Sequence, residues 1–600
     1  MNLSTTIAEL YYIVCKKWKD KIAYRYKEEE EWKEMTYTEF LEKSEQLAIG
    51  FLELGIKKGD RVGVISENRI EWVISVAALT LIGAIDVPLF PTTTSKQEEA
   101  IFKDCRASAV IVSNNFQLNK VLEFKDNVES LRHIFVMNDD FYSDDLFVRK
   151  LSDILERGSK LKSTTERKNL LQNLRIKFQP DDIVTLVYTS GTTGEPKGVM
   201  LTNQNLIANA ISSTAAINVT ENDTTVSFLP LCHCFERMTT AYVIFAKGAP
   251  IAITASIDTL MSVIQDIKPS FMTSVPKFLD TVKKRIYSSM QKSSAAKYKL
   301  FEWAVKIGMK YVENKYNNKS NALLLPRYNL AKRLVLSKIK EKIAPNLKQF
   351  IVGGAALSSD TTLFFEMLGI QCLQGYGLTE AAPVVSVARY NENEVGTVGK
   401  PLPEVEIKIA EDGELLIRGK NIMKGYWEKP EATKEVIDSE GWLYSGDIVK
   451  MTEKNNIQIT DRKKYIIVNS GGKNIAPQPI ETVINQSKYI EQCVLIGDNR
   501  EYCIALLTPN YEEIKELAAI SNIQYNNEEE LLYNQQIIAH IKRDIDHLQK
   551  DFSKFERVRK FQFLIKPFSL ESGELTPKLS IRRHVVEKNY SELIESIYGK

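Results

Sequence analysis

The stretch from Tyr188 to Met200, YTSGTTGEPKGVM, sets one serine, three threonines and three glycines around one proline and one lysine. Glycine raises the entropy cost of ordering a chain, and hydroxyls compete with the backbone for hydrogen bonds, so this composition suits neither a helix nor a strand interior. It suits a loop whose backbone N–H groups and hydroxyls face an anion, with Lys197 as a point charge. Phosphate is the first candidate. The Walker pattern is not met, because the fifth residue after Gly191 is Pro196 and Lys197 precedes Gly198. On composition alone a plain surface loop stays open as the alternative.

Four further positions have side chains suited to chemistry, and each has a plainer reading beside it. Glu380, in GYGLTE, is a hard oxygen donor, or a charge at the start of a helical turn. Tyr376 between Gly375 and Gly377, and Asp447 in SGD, read equally as turn residues. His233, in LPLCHCFERM, sits on an apolar stretch where a satisfied core histidine is the commoner case.

The elements that must position these residues follow from periodicity. Thr36 and Glu39 form a capping box ahead of a helix that ends near Gly55. RVGVI (61–65), a helix over NRIEWVISVAALTLIG, and AIDVPL then give strand–helix–strand with no room for a hairpin, hence parallel pairing. Short apolar strands recur at AVIVS, HIFVM, DDIVTLVY, TTVSFLP, PIAIT, FMTSVP and QFIVGGA. A large α/β protein is expected, with ligands at the carboxyl ends of its strands. After Pro401 the texture changes to an antiparallel hairpin, EVEIKIA and ELLIRG around an Asp-Gly turn. Beyond DRKKYIIVNSGGKNIAP (461–477) comes a smaller α+β pattern.

Bulk properties set limits. The 600 residues are 44% hydrophobic and 26% charged, ordinary for a globular chain. No run approaches the ~20 apolar residues of a membrane span. The first residues lack the pattern of a secretory signal, and seven scattered cysteines read as reduced, mostly buried thiols of a cytoplasmic protein. The net charge of +2 gives no argument for nucleic acid, yet residues 281–342 hold 13 Lys and 3 Arg against 3 Glu. That segment is helical in period, with Phe301, Val305, Gly308 and Val312 along one side. It reads either as helices packed on the main domain or as a basic amphipathic surface for anionic lipid, in peripheral contact with the inner membrane surface.

The loop at 188–198 resembles the phosphate loop of the adenylate-forming superfamily. GYGLTE (375–380), YSGDIV (444–449), DRKKYIIVNSGGKNIAP and GELTPKLSIRR (573–583) resemble later motifs of that superfamily in its own order. LPLCHCFERM, GGKNIAPQPIE and YIEQCVLIGDNREYCIALLTPN are similar to the long-chain fatty acid–CoA ligases within it. The resemblance implies a large N-terminal domain (1–460) of parallel-rich α/β subdomains plus a distorted β-barrel-like part, with a basic helical insertion at about 281–342. It further implies a hinge at 461–464 around Lys464 and a small mobile α+β lid, 465–600.

The roles implied are specific. Thr189, Ser190, Gly191, Thr192, Thr193, Gly194 and Lys197 would steady the ATP phosphates. Thr379 would bond the α-phosphate and Glu380 would hold Mg²⁺. Tyr376, flanked by Gly375 and Gly377, would stack on adenine, with Gly353, Gly354 and Ala355 as the facing wall. Asp447 and Arg462 would contact ribose, and His233 would lie on the acyl side. No general base is required, since a carboxylate is already ionised at pH 7. Ser470, Gly471 and Gly472 would line the CoA path. One departure stands out: relatives read LTPTLK, which would set lysine where this chain has Ser580. Lys578 is taken as the adenylation lysine, with Arg582 as the other candidate. The expected function is formation of acyl-AMP from ATP and a long-chain fatty acid, then transfer to CoA. The alternatives are a fatty acyl-AMP ligase loading a carrier protein, or a degenerate non-catalytic nucleotide-binding protein.

Overall fold

The computed structural model describes residues 5–599 apart from 142, 162, 191–195, 257, 391, 472 and 577–580. Two large sheets form the body. The first runs, in spatial order, Lys400–Pro401, Val384–Val387, Gln371–Gly377, Gln349–Val352, Phe271–Ser274, Thr225–Ser227, Ile251–Ile253, Ile22–Glu28 and Glu31–Thr36. Its central strands pair in parallel, and its edges turn antiparallel. The second runs Gly425–Tyr426, Pro196–Thr202, Ile183–Ser190, Ile85–Leu89, Arg61–Ile65, Ala109–Val112, His133–Val136 and Val148–Lys150, parallel except at the first two junctions.

Local sequence accounts for the elements. The capping box at Thr36 and Glu39 opens the helix Tyr37–Glu53, and Gly55 follows it at φ +85°. The helix Ile70–Ile82 is buried along its whole length, as its unbroken apolar run demands. The hairpin Glu406–Ile409 and Glu414–Arg418 joins Leu443–Met451 and Ile457–Arg462 in an open four-stranded antiparallel sheet. In the C-terminal part, Ile490–Ile496, Cys503–Pro509 and Val558–Phe563 make a small sheet flanked by helices, with its own core. All seven cysteines are free and buried.

In the basic segment the helix Ala295–Tyr316 buries Phe301, Val305 and Val312. A Cβ on Gly308 would lie 3.0 Å from Met367, so this face packs on the helix Ser359–Met367. The stripe read from the sequence is therefore core, not a free amphipathic face. The helix leaves Leu300 exposed, and the other exposed leucines of the segment lie further on, at Leu323, Leu325, Leu330 and Leu334.

One feature joins the two large sheets. Glu236 and Arg237 are adjacent and buried. The Glu236 carboxylate accepts from Ser227 (2.7 Å) and Thr273 (2.5 Å), both strand residues of the first sheet, and from Thr240 (2.7 Å). Arg237 donates to both oxygens of Asp86 (2.7 and 2.8 Å) and to Thr185 Oγ1 (3.2 Å), residues of the second sheet, and its Nε bonds Tyr242 (3.0 Å). Burial works against the Arg237 charge, and Asp86 outweighs it. Removing one partner strands the other charge inside the protein. Asp86→Ala is expected to lower stability by about 3–5 kcal/mol, read as a fall in the urea midpoint, whereas an unchanged midpoint would deny the pair its structural role.

Candidate active site

The strands Ile183–Ser190 and Pro196–Thr202 form a hairpin whose register sets Thr189 opposite Lys197. Its tip, with Gly191, Thr192, Thr193 and Gly194, lies outside the described residues, as does the Ser190 side chain. The Lys197 ammonium stands 5.3 Å over the Tyr426 ring, within cation–π range. Tyr426 belongs to the two-residue edge strand that pairs with the hairpin, and its hydroxyl donates to Glu380 Oε1 at 3.0 Å. Burial first, then Glu380, holds the Tyr426 phenol well above its usual pKa and so protonated as a donor.

Glu380 lies in the short helical turn Thr379–Ala381 after the strand Gln371–Gly377. The chain folds back tightly there: a Cβ on Gly377 would come within 2.0 Å of the Pro383 carbonyl oxygen, so glycine is the residue that fits. Thr379 is buried and Met423 N–H donates to the Glu380 carbonyl at 2.8 Å, which fixes the turn. Tyr376, on the same strand, donates its hydroxyl to Asp447 Oδ2 at 2.6 Å. Burial, and then the Asp447 charge, hold this phenol well above its ordinary pKa. Arg462 Nε contacts the other Asp447 oxygen at 3.1 Å, across the antiparallel pair Asp447↔Arg462.

Gly353, Gly354 and Ala355 follow the strand Gln349–Val352. A Cβ on Gly353 would meet the Phe235 ring at 3.1 Å. Phe235 in turn donates its N–H to His233 Nδ1 (3.2 Å), which in a neutral ring leaves Nε2 as the protonated nitrogen. His233 also stands 6.3 Å, ring to ring, from Phe90. The histidine thus caps the short helix Cys234–Glu236 and faces aromatic neighbours.

Beyond the body, Lys464 lies over the Tyr465 ring at 4.9 Å. The Ser470 and Gly471 amides bond Arg500 O (2.9 Å) and Asn469 Oδ1 (3.1 Å), both within the C-terminal part. Gly472 and Lys578 lie outside the described residues. The Arg582 amide donates to Glu574 O at 2.7 Å, just ahead of the helix Arg583–Asn589. The structure therefore joins Lys197 to Glu380 through Tyr426, Tyr376 to Asp447 and Arg462, and Gly353 to His233 through Phe235. Sequence reasoning missed Tyr426 and Phe235. Tyr426 could have been flagged by the Gly-Tyr pair in MKGYWEKP, and Phe235 sits inside a motif read only for its histidine.

The donor set suits a nucleotide triphosphate and a divalent ion. Magnesium takes one or two protein carboxylates and completes its shell with phosphate oxygens and water. Glu380, with one oxygen on Tyr426 and the Thr379 hydroxyl beside it, fits that need.

A fold of two parallel-rich sheets with a smaller C-terminal unit, bearing a Gly/Thr loop, a lysine and a carboxylate, defines a nucleotide-binding α/β enzyme class. Residues 13–427 match the family described as AMP-binding enzyme, and residues 464–600 match the AMP-binding enzyme C-terminal domain. The chain belongs to the AMP-binding enzyme family. It is 30% identical over 581 residues to the long-chain-fatty-acid–CoA ligase FadD15 of Mycobacterium bovis, covering 95% of this chain and 93% of that one. Among solved structures, the adenylation domain of a carboxylate reductase from Mycobacterium chelonae superposes with a TM-score of 0.78 at 22% identity, covering 99% of this chain and 91% of that one. An ATP-bound RpMatB-BxBclM chimera superposes with a TM-score of 0.71 at 20% identity, covering 98% and 99%.

Asp461, beside Arg462, offers a pH test. Burial pushes it from 3.8 up to about 6, and the backbone N–H groups of Arg462 and Gln478 only partly offset this. A raised folded value means its stabilising contribution is complete below about pH 4 and is lost as pH rises through about 6. Asp461→Asn is therefore expected to gain about 1–2 kcal/mol relative to the parent at pH 7.5, with the two curves converging below pH 4. Thermal unfolding at stepped pH reads this, and parallel curves would rule it out.

Proposed function

We propose that the protein is an ATP-dependent long-chain fatty acid–CoA ligase. It forms acyl-AMP and pyrophosphate, then transfers the acyl group to CoA. The observation that carries the reading is the linked set Lys197–Tyr426–Glu380 beside Tyr376–Asp447–Arg462. A carboxylate attacking a phosphate brings two anions together, so electrostatic stabilisation on the phosphate is the main requirement. Lys197 and the loop hydroxyls meet it on the β,γ-phosphates, and Thr379 meets it on the α-phosphate. Mg²⁺ held by Glu380 would neutralise phosphate charge. Asp447 and Arg462 hold ribose. The Tyr376 ring, tied down by Asp447, offers its face to adenine, and Gly353–Ala355 form the opposing wall. His233 and Phe235 border the acyl side. The body spans 1–460, and the lid 465–600 turns at 461–464. In the lid, Ser470–Gly472 line the CoA path and Lys578 serves acyl-AMP formation. The relatives named long-chain ligases support the acid class.

The first test is AMP formation from ATP and Mg²⁺ with acids from acetate to stearate, each with and without CoA. CoA-dependent turnover that rises with chain length and peaks in the long-chain range is expected. Pyrophosphate exchange without CoA-dependent turnover would make the protein an acyl-AMP ligase, and no turnover with any acid would overturn the reading. In the same assay Lys578→Ala should slow acyl-AMP formation about 100-fold or more while sparing transfer from preformed acyl-AMP. Loss through Arg582→Ala alone would move the role there.

A membrane contact is the second element of the reading, carried by one surface. Leu323, Leu330 and Leu334 are 92%, 50% and 40% exposed. Arg327, Lys332, Arg333 and Lys338 are exposed among them, and no acidic residue intervenes between Glu313 and Glu341. Exposed leucines set among cations suit an anionic lipid surface, where fatty acids partition. No helix among the described residues is long and apolar enough to cross a membrane. Leu323→Ser with Leu330→Ser should weaken cosedimentation with phosphatidylserine vesicles about tenfold. Equal recovery of parent and variant would remove this surface from the proposal.

A further inference from the structure

Lys284 lies in the basic segment, on the helix Pro276–Gln291, yet its ammonium reaches across to the lid. Nζ donates to the carbonyl oxygens of Asn485 (2.9 Å), Ser487 (3.2 Å) and Ile490 (3.4 Å). Asn485 caps the lid helix Pro477–Ile484, and Ser487 and Ile490 belong to the turn that leads from it into the strand Ile490–Ile496. The C-terminal end of a helix carries the negative pole of its dipole, which favours an ammonium there. A lysine has three N–H donors, and here each has an acceptor. The hydrogen bonds engage only backbone on the lid side, and the lid carboxylates Glu491 and Glu513 add charge attraction to an ammonium that burial works against.

The helix that carries Lys284 is itself held to the body. Asp280 accepts from Thr361 Oγ1 at 2.6 Å, and Lys283 pairs with Asp360, both at the start of the helix Ser359–Met367. At its other end, Val275 lies 3.8 Å from where a Cβ on Gly354 would stand, beside the proposed adenine wall. Nine residues at helical rise place that wall about 14 Å from Lys284 along one rigid element. Lys284 is thus fixed relative to the nucleotide side of the site while gripping the lid.

We infer that Lys284 is a positioning residue: a latch that holds the lid in the arrangement seen here and is released when the lid turns between the two half-reactions. The inference rests on the two-step reading above. A contact present in one lid arrangement and absent in the other shifts the balance between them, and so shifts one half-reaction against the other. It does not touch substrate, so it should not alter both steps alike.

Two measurements test this, one of them without substrates. The native cysteines are all buried, so spin labels can be directed to Lys292→Cys on the body and Glu512→Cys on the lid, both exposed positions. Lys284→Met should shift or broaden the distance distribution between the labels, and Lys284→Arg, which keeps a donor of similar reach, should restore it. Superimposable distributions for the parent and Lys284→Met would overturn the latch, whatever the enzymatic result. In the second measurement, pyrophosphate exchange and acyl transfer from preformed acyl-AMP are timed separately. The expected result is a change of about fivefold or more in their ratio for Lys284→Met, again restored by Lys284→Arg. An equal fall in both rates, or no change in either, would overturn the latch. If the parent turns over no acid, the ligase reading fails, and the spin-label result still decides the latch.

Discussion

The two large sheets share one apolar core, and two consecutive side chains, Glu236 and Arg237, pin their alignment by reaching in opposite directions from one step of backbone. Neither charge is near solvent. Arg237 is balanced by Asp86, whereas Glu236 has only hydroxyl donors, and burial raises its pKa despite them. Burying such groups carries a desolvation cost that apolar residues would not incur. The return is directional. A methionine–leucine contact would let the sheets slide, while a bidentate arginine on Asp86 and three hydroxyls on one carboxylate admit one register. Fully satisfied polar networks specify a unique packing in this way.

That register matters because the candidate site is divided between the sheets. Lys197 comes from the second sheet, and Tyr376 and Glu380 come from the first. Tyr426, on an edge strand of the second sheet, reaches Glu380 with its hydroxyl while lying under Lys197. A relative shift of even one strand residue, over 3 Å, would part this bond. Just ahead of the clamp, Phe235 abuts Gly353 at the carboxyl end of a first-sheet strand and donates its N–H to His233. One ten-residue stretch, LPLCHCFERM, thereby holds the sheet alignment and also packs against the glycines that follow a first-sheet strand.

Much of this was legible in the sequence, and what was not has a common cause. The capping box at Thr36, the strand RVGVI and the hairpin around its Asp-Gly turn are local features, and each formed as its residues dictate. The Gly/Thr-rich stretch, read by composition as loop throughout, is paired strand at both described ends, Tyr188–Ser190 against Pro196–Gly198, because a partner strand satisfies the backbone whatever the local composition. The order of strands within each sheet is set by pairings hundreds of residues apart, such as Tyr24↔Ile251, and no local pattern encodes it. Long-range contacts likewise gave Tyr376 a bond to Asp447, 71 residues away, where a ring between two glycines read equally as a turn residue and as a group for chemistry. The basic helix shows the limit of periodicity itself. A stripe at Phe301, Val305 and Val312 reports that one face is apolar, but not whether lipid or the helix Ser359–Met367 covers it. Neighbouring protein covers it.

The junction between body and lid rests on interactions of a different kind from the clamp. Lys463 contacts Asp412 (2.6 Å) and Glu414 (2.8 Å), and Arg462 contacts Asp447, with both basic side chains half exposed. Glu414 and Asp447 are buried, while the cations that meet them keep half their surface in water. Only the Asp412 arm is exposed on both sides and contributes little, so the other two pairs tie the start of the connection to the body. The hydrophobic clusters respect the same division: the lid cores draw on residues from Ile467 onward, and the body cores end before it. Rotation at 461–464 would therefore expose little packed apolar surface from either core. The directional contacts that span the joint, Lys284 foremost among them, are left to choose between orientations. The clamp fixes the walls of the candidate site, and the C-terminal unit, with a core of its own, meets the body through directional contacts.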